Sequence, residues 1–230
     1  MSHVNPQGPV LDHLVVAAPT LAAGVRWCEH TLGITPGPGG EHALMGTHNR
    51  LALLASNGFP GAYLEIIAIN PGAAPTKAND QARWFGFDEP ERRARLQALG
   101  PQLIHWVARV NNLPSALAQC QRSGVDLGPA VSASRMTAQG LLAWSIAIRG
   151  DGQLQFGGVM PTLISWGSTH PTQNMPVSKL GLRGLTCRHP QAAQLNSLWQ
   201  SLGGSARFEV GPAGLCAELD TPKGPVLLHT

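Results

Sequence analysis

Residues 11–17 read LDHLVVA, a short apolar stretch with a single histidine near its centre. The alternation of side chains along an extended strand predicts two faces. The first face holds Leu14 and Val16, and the second holds Leu11, His13 and Val15. An imidazole in an apolar strand needs a hydrogen-bond partner or a ligand, so His13 is the first candidate functional residue.

A helix and three more strands are expected after this strand. Thr20 is suited to cap the N-terminus of an amphipathic helix that ends at Gly33. The three strands are predicted at residues 42–46, 50–55 and 62–69, separated by the turn-like sequences THN and NGFPG. In the last of them Tyr63, Glu65 and Ile67 share a face, which places a carboxylate in an apolar strand, where it is costly unless paired.

The same pattern recurs about ninety residues later in the sequence. LIHWVARVNNL, residues 103–113, aligns with LDHLVVAAPTL without a gap, so His105 matches His13 and Asn112 matches Thr20. A helix ending at Gly124 and strands at residues 130–135, 141–148 and 158–166 complete the second unit. Residues 180–230 predict a third, shorter copy, of βαβ type, which has no histidine at the equivalent position.

The repeat predicts an α+β fold built from tandem βαβββ modules. The predicted first domain covers residues 8–171, with modules at 8–70 and 101–171 and a linker at 71–100. The third, partial module, residues 178–230, is expected to pack on that domain.

The composition favours a small molecule as the binding partner of this protein. The chain has 43% hydrophobic and 13% charged residues and a net charge of +3 without a basic run, so neither nucleic acid nor a membrane is expected as a partner. No signal peptide is recognised, and the four cysteines lie far apart, which favours reduced thiols and a cytoplasmic location.

Paired βαβββ units that open with LDHLVVA and close with YLEIIAI resemble the vicinal oxygen chelate superfamily, which includes glyoxalase I, extradiol dioxygenases and bleomycin-resistance proteins. Within it, GTHNRLALL, YLEII, the Arg135–Gly140–Trp144 spacing and MPTLISW are most similar to the glyoxalase-like domain family. The resemblance covers residues 11–171 and part of the tail. It implies a cup formed by a curved mixed sheet, with metal ligands on the first and last strands of each module.

On this chain, the resemblance implies that His13, Glu65 and His105 hold one divalent metal ion, which would be iron, manganese, nickel or zinc. The superfamily commonly has a second glutamate where this chain has Ile164, so the expected site has three ligands. An alternative without a metal is a charge-assisted hydrogen bond between His13 and Glu65.

Five more positions complete the candidate site, in which Glu65 is also a candidate catalytic residue. His48, in the GTHN sequence, is a candidate general base at the rim of the cup. Asn49, beside it, is a candidate substrate-binding residue, and Arg135 with Trp144 is suited to an anionic or carbonyl-bearing substrate. Trp166 is a candidate substrate wall.

Three functions remain open on the sequence. The first is a metal-dependent lyase, isomerase or dioxygenase acting on a small carbonyl or vicinal-oxygen substrate. The second is a metal-free small-molecule binding protein of the resistance type. The third is a mainly structural role, in which the third module forms a homodimer.

Overall fold

A computed structural model of the chain describes residues 8–74, 81–137 and 140–230. Residues 75–80 of the predicted linker lie outside the described residues. The strands are β1 (Val10–Ala17), β2 (Glu41–His42), β3 (Thr47–Ala55), β4 (Tyr63–Ile69), β5 (Gln102–Arg109), β6 (Ala130–Thr137), β7 (Gly140–Ala147), β8 (Thr162–Trp166), β9 (Leu180–Arg188), β10 (Phe208–Glu209), β11 (Gly214–Thr221) and β12 (Gly224–His229). The α-helices are α1 (Leu21–Trp27), α2 (Pro90–Leu99), α3 (Leu113–Arg122) and α4 (Ala192–Ser201). No described helix has the length and apolar character that a membrane crossing requires.

One mixed sheet contains both modules, as the α+β prediction requires. The strand order is β12-β11-β9-β3-β4-β1-β5-β8-β7-β6, with β2 on β3 and β10 on β9. Each module pairs its first and last strands in parallel, β1 with β4 and β5 with β8, and the modules meet where β1 and β5 run antiparallel. The internal repeat of the sequence is therefore a structural repeat.

The first helix begins and ends at the predicted residues. The Thr20 side chain accepts a hydrogen bond from the Ala23 amide at 3.1 Å, and Gly33 ends the helix with a left-handed φ of 72°. Between Cys28 and Leu32 the helix widens to the π type. Asn112 caps α3 in the same way through the Ser115 amide at 3.0 Å, which confirms the alignment of the two modules.

Two apolar clusters lie on opposite sides of the sheet. The first cluster packs beneath the helices and includes Leu14, Leu64 and Trp106. The second includes Val15 and Ile67 and lies on the concave side. Tyr63 and Glu65 share the concave side with Ile67, as the alternation predicts.

A β-bulge occurs at equivalent positions in the two central strands. Leu11 pairs with Ala108 and His13 with Val107, so Asp12 is the extra residue in β1. Val15 pairs with His105 and Val16 with Leu103, so Ile104 is the extra residue in β5. A bulge interrupts alternation.

The β1 bulge corrects one prediction about side-chain direction. Leu11 joins Leu14 in the cluster beneath the helices instead of sharing the concave side with His13. Asp12 and His13 consequently lie side by side, close enough for their side chains to bond directly.

Two strand predictions in the first module were wrong. The predicted strand at residues 42–46 is a two-residue strand followed by a turn, and the THN sequence at residues 47–49 begins β3 instead of forming a turn. Pairing with β4, from Thr47 opposite Ile69, holds THN in the strand and overrides its turn propensity. In the second module, β8 is shorter than predicted because residues 155–158 form a short helical turn.

The third module extends the same sheet but differs from the other two in strand pairing. Its first strand, β9, pairs in parallel with β3 and β10 and antiparallel with β11. Trp199 of α4 packs against Trp106, with ring centroids 5.4 Å apart, within the cluster beneath the helices. The βαβ character of this module is confirmed, and the division of the chain at residues 171–178 stays a prediction.

Candidate functional site

A cavity lies on the concave side of the sheet, between the two modules. The first module contributes polar groups from β1 to β4, and the second contributes an arginine and aromatic walls from β6 to β8. We call this cavity the cup. The predicted site residues that line it are His13, Asn49, Glu65, Arg135, Trp144 and Trp166.

His13 is held from behind by a buried carboxylate. Asp12 is fully buried, and its Oδ1 accepts a hydrogen bond from Nδ1 of His13 at 2.7 Å. The other oxygen, Oδ2, accepts from Nε1 of Trp166 at 3.0 Å and from Nε2 of His170 at 2.9 Å. Burial by itself raises the pKa of Asp12, but the hydrogen bonds from His13 and His170 outweigh it and hold that pKa below its ordinary 3.8.

His13 and Glu65 face each other in the cup. Nε2 of His13 lies 3.6 Å from Oε2 of Glu65, which is an ion-pair distance. Parallel pairing of β1 with β4 aligns His13 with Tyr63 and Val15 with Glu65, and this register brings the two side chains together. The Tyr63 ring stacks on His13, with centroids 4.6 Å apart, and burial raises the pKa of Tyr63 well above 10.0, so its phenol stays protonated.

Asn49 orients Glu65. Its amide Nδ2 donates to Oε1 of Glu65 at 2.6 Å and approaches Nε2 of His42 at 3.3 Å, while its Oδ1 accepts from the Gly40 amide at 2.8 Å. The amide group predicted to bind substrate is thus committed to protein partners, and its effect on a substrate passes through Glu65.

His42 is a cup residue that the sequence reasoning missed. Burial, with a smaller contribution from the Arg135 charge, lowers the pKa of His42 to about 3, so its imidazole is neutral. Its Nδ1 lies 3.0 Å from the Thr47 hydroxyl. The sequence placed His42 at a strand start but contained no signal for its direction, since β2 has only two residues.

Arg135 places a guanidinium cation in the cup, and some of its N–H donors have no protein partner in the described part of the chain. Among the described residues, its Nε and Nη1 are buried and have no hydrogen-bond partner. Burial lowers the pKa of Arg135, and the nearby Tyr63 and Glu65 oppose that shift. A Cβ at Gly40 would overlap Nη1, so Gly40 leaves the space that the guanidinium occupies. Unpaired buried N–H groups of this kind are suited to an anionic or carbonyl oxygen.

Two tryptophans form the wall that faces the polar groups. The rings of Trp144 and Trp166 lie 5.8 Å apart and tilt against each other by 48°. Strand register corrects the position expected for a second glutamate: Glu65 lies opposite Val15, and Thr162, not Ile164, lies opposite the equivalent Val107. Ile164 is buried and lines the cup. The second module therefore supplies apolar surface and no carboxylate.

His105 does not line the cup. Its Nδ1 donates to the Gly158 carbonyl at 2.9 Å, and its Nε2 accepts the Thr162 backbone N–H at 3.0 Å. Phe85, which lines the cup, has its ring centroid 5.5 Å from that of His105. Burial lowers the pKa of His105 to about 3, so the imidazole is neutral and both nitrogens are engaged.

The predicted metal ligands consequently do not fit a three-ligand site. The structure brings His13 and Glu65 together, whereas the nitrogen lone pair that His105 would offer is engaged by Thr162. Across the described ranges, no three histidine, cysteine, aspartate or glutamate side chains are grouped so that they could hold a metal ion.

His48 lies on the other face of β3 from the cup. Asn49 and Leu51 line the cup, whereas Ala52 and Leu54 pack beneath the helices, so alternation places His48 on that outer face. The turn predicted for THN would have allowed His48 to reach the rim, and the strand removes that freedom.

Comparison with known proteins supports the family resemblance. The model of the family described as "Glyoxalase-like domain" matches residues 11–203, which extends past the two modules to α4. The structure is similar to a hypothetical protein from Staphylococcus aureus, with a TM-score of 0.58 and 14% identity over 96% of this chain and 85% of that one. No curated protein matches the sequence.

Weaker similarity is found to two methylmalonyl-CoA epimerase structures. The enzyme from Mycobacterium tuberculosis is 15% identical, with a TM-score of 0.39 over 72% of this chain and 91% of that one. The Streptomyces coelicolor S115T variant, in complex with 2-nitronate-propionyl-CoA, is 14% identical, with a TM-score of 0.44 over 71% of this chain and 98% of that one.

Proposed function

Given that the chain belongs to the glyoxalase-like domain family of the vicinal oxygen chelate superfamily, we propose that it is an enzyme of the lyase or isomerase type. Its substrate is a small anionic molecule with a carbonyl group, and its reaction moves a proton at the carbon beside that carbonyl. The supporting observation is the set of groups in the cup: a carboxylate and an imidazole that face each other, and a cation with unpaired donors.

Glu65 is the proposed general base. Its carboxylate is buried at 5% exposure and is oriented by Asn49, so one oxygen is fixed and the other faces His13. A general base must be held within reach of the proton that it removes, and such a base typically contributes about 10²–10⁴-fold to a rate. His13 is the proposed second group, which receives the proton from Glu65 at Nε2 and returns it to the product.

Arg135 is the proposed anchor for the developing negative charge. Removal of a proton beside a carbonyl leaves an enolate oxygen, and the unpaired Nε and Nη1 donors of Arg135 are suited to stabilise it. Trp144 and Trp166 form an aromatic wall opposite the polar groups. A low-polarity wall strengthens the interaction between an anion and the guanidinium.

A divalent metal ion stays a separate prediction. Superfamily members often use one, and His13 with Glu65 would offer it an imidazole nitrogen and a carboxylate. The third expected ligand, His105, is engaged elsewhere. Every step proposed above uses only side chains of this chain, so the proposal does not depend on a metal.

We also propose that the protein is cytoplasmic and forms a homodimer. The cysteines Cys28, Cys120 and Cys187 are buried and unpaired, which agrees with a reducing compartment. Size measurement in solution would decide the oligomeric state.

Deuterium exchange tests the proposal directly. The protein would be incubated in D₂O with the anions 2-oxobutanoate, acetoacetate and dihydroxyacetone phosphate, and incorporation beside each carbonyl would be followed by NMR. We expect exchange above the buffer rate for at least one compound, and a fall of about 10²–10⁴-fold in the Glu65→Gln variant. Glu91→Gln, at an exposed position on α2, is the matched control.

Two outcomes would contradict the proposal. One is buffer-rate exchange with all three compounds, and the other is equal exchange in the wild type and Glu65→Gln. Measurement of metal content in the same samples, before and after chelation, would show whether activity follows a metal.

A metal-free binding protein is the second candidate function. The tryptophan wall and the Asn49–Glu65 hydrogen bond of 2.6 Å also describe a rigid polar pocket for an anionic ligand. Tight binding of a panel compound without exchange, weakened by Arg135→Gln and insensitive to chelators, would favour this function over the enzyme.

A further inference from the structure

We infer that Asp12 is the positioning residue of the cup: it holds the His13 ring in one orientation and one tautomer, so that Nε2 faces Glu65. The catalytic consequence of this role rests on the proposed function, whereas the tautomer itself does not. Asp12 was not among the residues that the sequence indicated.

The β1 bulge makes the contact possible. Neighbouring residues in a regular strand point to opposite faces, so an Asp–His pair at successive positions cannot normally bond through side chains. At the bulge the backbone pairing with β5 skips Asp12, and its Oδ1 reaches Nδ1 of His13 at 2.7 Å, while Arg109 of β5 lies 3.9 Å from Oδ2. Asp12 is fully buried, so the bond is shielded from water.

The hydrogen bonds to Oδ2 of Asp12 hold the carboxylate so that Oδ1 points to His13. Nε1 of Trp166 can only donate, so the oxygen 3.0 Å from it must accept. His170 donates to the same oxygen from Nε2 at 2.9 Å, and its Nδ1 lies 2.7 Å from the Thr172 hydroxyl. With Oδ2 saturated, Oδ1 is the acceptor for His13.

This arrangement determines where the His13 proton lies. Because Oδ1 of ionised Asp12 accepts from Nδ1, neutral His13 bears its proton on Nδ1 and leaves the lone pair on Nε2. Nε2 is the nitrogen that lies 3.6 Å from Glu65. The same tautomer would be required whether Nε2 exchanges a proton or binds another ligand.

Nitrogen-15 NMR of the full chain would test the inference. Long-range proton–nitrogen spectra of the neutral imidazoles, recorded as the pH is raised, distinguish the protonated ring nitrogen from the bare one. We expect His13 to be protonated on Nδ1 in the wild type. In Asp12→Asn, an amide NH₂ facing Nδ1 would reverse the tautomer, so that the proton moves to Nε2.

Activity provides the second readout. If the proposed exchange reaction is observed, Asp12→Asn is expected to lower its kcat by roughly 100-fold or more, because His13 would no longer present its Nε2 lone pair to Glu65. KM should be nearly unchanged, because Arg135, the proposed anion site, is intact. The matched control is Asp220→Asn, the same substitution at an aspartate that pairs with Arg183 away from the cup. It should alter neither the His13 tautomer nor kcat.

The outcomes separate this inference from the proposed function. Protonation of neutral wild-type His13 on Nε2, or an unchanged tautomer in Asp12→Asn, would overturn the role of Asp12. A reversed tautomer supports it even if the wild type catalyses no exchange, in which case only the proposed function fails. If Asp12→Asn does not fold, the wild-type spectrum decides, together with Trp166→Phe, which leaves Oδ1 on His13 and should retain the tautomer.

Discussion

The two modules place a histidine at the same bulge, yet the two imidazoles have different surroundings. In the first module the residue before the histidine is Asp12, and His13 turns its Nε2 towards Glu65. In the second it is Ile104, and His105 bonds to Gly158 and Thr162 of its own module. A repeat can therefore preserve backbone geometry while the residues around each histidine give it different partners.

The difference extends to the last strand of each module. Glu65 in β4 supplies a carboxylate to the cup, and Ile164 in β8 supplies an apolar wall. The first module thus provides the proposed acid–base groups, and the second provides the guanidinium of Arg135 and the tryptophans. The asymmetry gives the cup one side with a carboxylate and an imidazole and another side with a guanidinium and aromatic rings.

The largest expected effect is on activity and falls on the first module alone. We expect His13→Gln to lower the proposed exchange rate by about 10²–10⁴-fold, because the proton acceptor opposite Glu65 is removed. NMR-detected deuterium incorporation measures this rate. His229→Gln, at an exposed position on β12, is the control. If the His13 variant is as active as that control, His13 and His105 do not differ in function.

The next largest effect is a loss of stability, expected when the Asp12–His13 pair of the first module is reproduced beside His105 in the second. Ile104→Asp places a carboxylate in the apolar cluster on the concave side, without the Trp166 and His170 donors that Asp12 has. We expect the free energy of unfolding to fall by about 3–5 kcal/mol in urea denaturation.

Ile104→Val measures the packing part of that change and should cost about 1 kcal/mol. Equal stability of the aspartate and valine variants would mean that the second module can accommodate the pair, contrary to the comparison.

A smaller loss of stability is expected when His105 is removed. His105→Leu leaves the Gly158 carbonyl and the Thr162 amide without their side-chain partner, and we expect a cost of about 2–4 kcal/mol in the free energy of unfolding. The measurement is again urea denaturation at neutral pH, with His229→Leu as the control. Retention of full stability would argue against a structural role for His105.

The smallest effect is the pH dependence of that stability. The folded state keeps His105 neutral down to a pKa of about 3, whereas the unfolded chain takes up the proton near 6.5. The folded state binds fewer protons in this window, so stability is complete above about pH 6.5 and falls as the pH drops towards 3. His42, with a pKa of about 3, contributes in the same direction.

We therefore expect His105→Leu to reduce the slope of unfolding free energy against pH by about 1.4 kcal/mol per pH unit between pH 4 and 6. Denaturation midpoints at several pH values would measure this slope. An identical slope in the variant and the wild type would show that His105 is protonated in the folded state.

Local sequence signals were sufficient for much of the fold. Thr20, Asn112 and Gly33 mark helix ends because capping depends on bonds within one turn. Alternation placed Tyr63 and Glu65 on one face because β4 is regular. The same reasoning failed for Leu11 and THN, where pairing with a neighbouring strand introduced a bulge or overrode a turn preference.

The sequence by itself determined the two modules, the paired histidines and the carboxylate of Glu65, since repetition and alternation are properties of short segments. Only the tertiary structure decided which histidine faces the cup. The partners of His105 lie 53 and 57 residues away in the chain, and the Trp166 and His170 donors to Oδ2 of Asp12 lie 154 and 158 residues away. Hydrogen bonds over such separations depend on strand register, which no short segment specifies.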